Sequence, residues 1–65
     1  MMTISRVRIE TLLAEKAMTK AELARRCGIA KQNVSVILKR GTCEPRTAGR
    51  IAIGLEVPIE AILGE

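Results

Sequence analysis

The stretch from Thr19 to Gly41, TKAELARRCGIAKQNVSVILKRG, constrains this chain more than any other part of it. Thr19 and Glu22 stand in the T-x-x-E spacing of a capping box, where the hydroxyl and the carboxylate each satisfy a free N–H at a helix start. Met18 and Leu23 occupy the flanking apolar positions that staple such a start. The helix that follows puts Leu23, Ala24 and Cys27 on one face, and Gly28 falls just past its end, where a left-handed residue closes a helix. A second helix is predicted from Lys31 to just before Gly41. Its apolar set is Val34, Ile37 and Leu38, at i, i+3 and i+4. Ala30 holds its N-cap position with no side-chain oxygen to offer.

Helical spacing of apolar residues continues on both sides, and no segment sustains strand alternation. A first helix is expected over Ser5–Lys16, with Ile9, Leu12 and Leu13 inward and Val7 beside them. GTCEP reads as a loop. Ala48, Ile51, Ala52 and Leu55 mark a fourth helix, although Gly49 and Gly54 within it each cost about 1 kcal/mol relative to alanine. Pro58 is placed to open a short fifth helix reaching Leu63, with Ile59, Ile62 and Leu63 apolar. The expected fold is all-α: one compact five-helix domain over residues 1–65, with a helix-turn-helix unit at about 19–40.

At 65 residues the chain can bury only about 60% of its unfolded surface, which leaves little room for an enzyme cleft and its supporting shell. It has no His, Asp, Phe, Tyr or Trp, so the commonest general base and the usual base-stacking rings are missing. The seven acids are all glutamates, and none is spaced as a catalytic pair. No enzyme is predicted. Cys27 and Cys43, without a His or a second pair, do not make a zinc site and read as reduced structural thiols, Cys27 buried. MMTISRVR lacks the apolar run of a signal peptide, and nothing approaches the roughly 20 apolar residues of a membrane helix. A cytoplasmic protein is the expectation.

The net charge of +4 is unevenly spread. Residues 19–41 carry six bases against Glu22 alone, while residues 1–18 sum to +1 and residues 42–65 to −2. A solvated helix face would mix in acids for i, i+4 pairing; this one instead suits a polyanion. With Val34 as origin and about 100° per residue, Gln32 falls near 160°, Val36 near 200°, Lys39 near 140°, Ser35 near 100° and Arg40 near 240°. That outward row matches base-edge chemistry. A Gln amide pairs with adenine, Lys reaches guanine, and an aliphatic group packs on a thymine methyl, which favours a groove contact over a plain surface valine for Val36. Lys31 and Asn33 flank the first turn, the part of such a helix that points into the major groove. Lys20 can meet a phosphate together with the free N–H groups of its helix. Arg25 and Arg26 fit either a phosphate contact or a solvated back face.

These residues resemble the Cro/repressor-type, or xenobiotic-response-element, helix-turn-helix family. The likeness runs through LLAEKAMTKAELARRCGIAKQNVSVIL and RTAGRIAIGLEVPIEAIL, with MTKAELA followed by Gly28 and Ile29 as its most specific part. It implies a five-helix DNA-binding domain, commonly dimeric on palindromic operators and often a repressor. By position, Lys31, Gln32 and Val36 match the family's base-contacting residues, and Lys20 and Asn33 match positions used for phosphate or mixed contacts. Ala30 departs from the usual Ser or Thr, KRGTCEP is not a clear match, Glu56 stands where Gly is frequent, and Gly49 and Gly54 are unusual. The expected function is therefore a sequence-specific double-stranded DNA-binding regulator, a repressor acting by operator occupancy. It would work as a homodimer on DNA, without cofactor, metal or small-molecule ligand. The expected interface is Lys20, Lys31, Gln32, Asn33, Ser35, Val36, Lys39 and Arg40. An antitoxin-like protein-interaction module on the same fold is the alternative, and a single-stranded RNA binder is disfavoured by the lack of aromatic side chains.

Overall fold

Each helix starts and stops where its local chemistry dictates. The computed structural model describes residues 1–64: β1 (Met2–Thr3), α1 (Arg6–Glu15), α2 (Lys20–Cys27), α3 (Lys31–Arg40), β2 (Thr42–Cys43), α4 (Pro45–Leu55) and a 3₁₀ turn at Ile59–Ala61. Ser5 caps α1, its hydroxyl accepting from the Arg8 N–H at 3.1 Å. The Thr19–Glu22 capping box is formed in full at the head of α2. Pro45 opens α4 from its first position, where its missing N–H has no partner to lose.

All four α-helices end on a left-handed residue. After α1, α2 and α4 the chain closes in the paired Schellman pattern, with Met18 donating to Leu13, Ile29 to Ala24, and Val57 to Ala52 at 2.9–3.1 Å. Gly28 and Gly41 suit that conformation, but Ala17 (φ 51°) and Glu56 (φ 59°) carry a Cβ into it. Glu56→Gly and Ala17→Gly should each therefore raise stability by about 1 kcal/mol, read as a higher midpoint in chemical denaturation. A lowered midpoint would show that side-chain contacts at these exposed positions outweigh the backbone strain.

The core lies where α2 meets α3 and α4, with Leu23, Ile51, Leu55, Ile9 and Ile62 fully buried. Leu12 and Met18 pack against it from partly exposed positions. Gly54 has a packing reason: a Cβ there would stand 2.7 Å from the Cys27 sulfur, so glycine allows α4 to lie close on α2. No atom lies within 4 Å of the corresponding point at Gly49, and nothing in the structure explains that glycine.

Three expectations are corrected. The GTCEP segment contains a strand, since Met2 pairs with Cys43 and Thr3 with Thr42 in an antiparallel ladder. Two residues per strand are too few for alternation to show in sequence. The fifth helix is a single 3₁₀ turn, so the described residues hold four α-helices rather than five. The Ile62 carbonyl accepts from the Ser5 N–H at 2.8 Å, Leu63 bridges to Ile4, and Gly64 donates to the Thr3 carbonyl at 3.1 Å. These bonds draw the chain out beside the N-terminal segment after one turn. Val7 is 72% exposed and takes no part in the core.

Candidate nucleic-acid interface

The position of α3 follows from how α2 is held. Capped at Thr19 and closed at Gly28, α2 buries Leu23, Ala24 and Cys27, and the turn delivers α3 with Val34, Ile37 and Leu38 buried beside it. Ala30, as expected, makes no side-chain capping bond. With one face fixed in the core, Lys31, Gln32, Asn33, Ser35, Val36, Lys39 and Arg40 are all exposed. Val36 is 53% exposed.

The outer side of α3 is a ridge between two basic clefts. On one flank Ser35, Leu38 and Lys39 face Arg6 from α1 and Lys20 from α2 across a cleft of about 280 Å³. On the other, Asn33, Val36, Ile37 and Arg40 face Arg46, Thr47 and Arg50 from α4 across about 580 Å³. Gln32 and Val36 lie on the crest, near 160° and 200° from the buried face. The Arg40 Nε donates to the Thr42 carbonyl at 3.4 Å, which ties its side chain to the loop after α3.

Lys20 is half-buried and already paired: its Nζ lies 3.6 Å from Glu10 Oε2, an oxygen that also accepts from Arg6 Nε at 3.3 Å. Arg25 and Arg26 line neither cleft and sit in the last turn of α2, where cations favour the helix dipole. Sequence reasoning did not single out Arg6, Arg46 or Arg50. The i, i+4 spacing of Arg46 and Arg50 was a usable signal, masked by the net negative charge of their segment.

Both cysteines are free and buried. Burial pushes the Cys27 thiol above its ordinary pKa, and does the same for Cys43 against a partial opposing pull from Arg40 and the chain's N-terminus. Neither is activated as a thiolate. Among the described residues no His, Cys, Asp or Glu group is arranged to hold a metal, and no helix is long and apolar enough to cross a membrane.

A family model of the Cro/C1-type helix-turn-helix DNA-binding domain matches residues 8–64. The chain belongs to this family. No curated protein and no solved structure matches it. As a Cro/C1-type domain the chain carries a helix-turn-helix DNA-binding domain, and α2, the Gly28 turn and α3 lie within the matched residues. The Cro/C1-type match begins at Arg8, so β1 and Arg6 lie outside it.

Proposed function

We propose that this chain is a sequence-specific double-stranded DNA-binding regulator, a cytoplasmic repressor that acts by occupying its operator. The observation that carries the proposal is the ridge of α3 between two basic clefts. An α-helix with its side chains is about 10–12 Å across, and the major groove of B-DNA is about 12 Å wide with a phosphate strand along each rim. A helix lodged there presents its crest to base edges and its flanks to the two strands. Gln32 and Val36, with Lys31 at the first turn, then read bases. Lys20, Ser35 and Lys39 meet one strand, while Asn33 and Arg40, joined by Arg46 and Arg50, meet the other.

Repression follows from exclusion: a bound domain blocks the transcription machinery from the same site, with no cofactor or small-molecule ligand needed. Pairing two copies on a palindromic operator doubles the phosphate contacts and reads two half-sites, so a homodimer on DNA is the working form. Selection of bound sequences from a random duplex pool tests the reading. The expected outcome is an enriched motif whose half-sites recur about 10–10.5 base pairs apart. A selected pool no different from the starting pool would contradict sequence-specific binding.

A further inference from the structure

Arg6 and Lys20 occupy positions that helix physics does not favour for cations. Ser5 caps α1 and Thr19 caps α2, so each basic residue is the first of its helix, at the positive end of the dipole. The helix dipole accounts for neither charge. The two side chains come from different helices and converge on a single oxygen, Glu10 Oε2, at 3.3 and 3.6 Å, while lining the same cleft as Lys39 and Ser35.

We propose that Glu10 is a positioning residue, a carboxylate that fixes Arg6 and Lys20 as a preformed clamp for a DNA backbone phosphate, with Lys39 and Ser35 on the opposite wall. The proposal rests on the DNA-binding reading and adds a fourth element, α1, to the α2, α3 and α4 residues of the interface. Arg6 spends only its Nε on Glu10, which leaves both terminal amino groups to donate to a phosphate. Lys20 stands 3.6 Å from Glu10 as an ion pair without a hydrogen bond, so its three N–H donors stay available for a phosphate. Long basic side chains lose rotamer freedom when they engage a ligand, and Glu10 takes up that loss before DNA arrives.

The sign of one substitution decides the matter. Removing a negative charge beside a polyanion ordinarily tightens binding. If Glu10 positions the clamp, Glu10→Gln instead weakens binding to a random-sequence duplex, by about 3- to 10-fold at one fixed salt concentration. Arg6→Ala also weakens binding, and in the Arg6→Ala background the Glu10→Gln step shrinks because half of the clamp is gone. Exposed ion pairs add little to stability, so both variants should melt close to the wild type. Wild-type binding with equal or tighter binding by Glu10→Gln overturns the clamp and leaves the DNA reading standing. An undiminished Glu10→Gln step in the Arg6→Ala background likewise overturns it. A wild-type protein that binds no duplex at all overturns the DNA reading beneath it.

Discussion

Leu23→Ala removes about 2–5 kcal/mol of stability, the range for truncating a fully buried leucine. The side chain has no solvent exposure and stands at the α2–α4 contact, where its Cδ1 would lie 3.4 Å from a Cβ placed on Gly54. So close an approach of the two helices leaves little freedom to collapse around the lost atoms, and the cavity persists. Small domains have total stabilities near the bottom of the roughly 5–15 kcal/mol range, so the variant should be substantially unfolded at physiological temperature. Chemical denaturation of wild type, Leu23→Ala and the milder control Leu12→Ala would measure this, with Leu12 losing less because it is only partly buried. Equal, small losses for both would mean that α2 is not packed in this register, and the placement of α3 would fall with it.

Affinity for duplex DNA should fall steeply with salt. Each phosphate neutralised contributes a slope of about −0.9 in log affinity against log salt. Arg6, Lys20 and Lys39 in one cleft and Arg40, Arg46 and Arg50 in the other set a ceiling of about −5 for one protomer. Full engagement corresponds to about a thousandfold loss between 50 and 200 mM salt. A titration series across that range reads the slope, and Arg46→Ala should make it shallower by about 1. Affinity that does not change with salt would contradict phosphate contact altogether.

The parts of the fold governed by local chemistry were legible in the sequence. The Thr19–Glu22 box, the Gly28 turn and the buried faces of α2 and α3 depend on residues a few positions apart, and all are found as expected. Glu56, noted as a departure from the family's frequent glycine, closes α4 in the left-handed conformation that explains that preference. What sequence could not show depends on distant partners. Ile59–Leu63 has the apolar spacing of a helix, but the Ile62 carbonyl is claimed by Ser5, Leu63 bridges to Ile4, and Gly64 just beyond donates to Thr3. The ladder between Met2–Thr3 and Thr42–Cys43 likewise joins segments with no strand signal of their own.

The candidate site divides in the same way. The outer face of α3 follows from helical periodicity once Val34, Ile37 and Leu38 are placed inward, so its exposed residues could be named in advance. Its flanking walls come from α1 and α4, and only the tertiary arrangement brings Arg6, Arg46 and Arg50 beside α3. The net charge of their segment hides Arg46 and Arg50, because the acids of residues 42–65 outnumber the bases, while Glu44, Glu56 and Glu60 line neither cleft.

The crest of α3 is expected to read bases while its flanks hold phosphates. Titrating wild type, Gln32→Ala and Lys20→Ala against a selected operator and a scrambled duplex, at one fixed salt concentration, tests this division most directly. Lys20→Ala should weaken binding to both duplexes by similar factors, because a phosphate contact carries no sequence information. Gln32→Ala should lose about 1–3 kcal/mol on the operator alone, through lost discrimination at one base pair, with affinity for scrambled DNA nearly intact. Equal losses on the two duplexes for Gln32→Ala would contradict base reading by this face of α3.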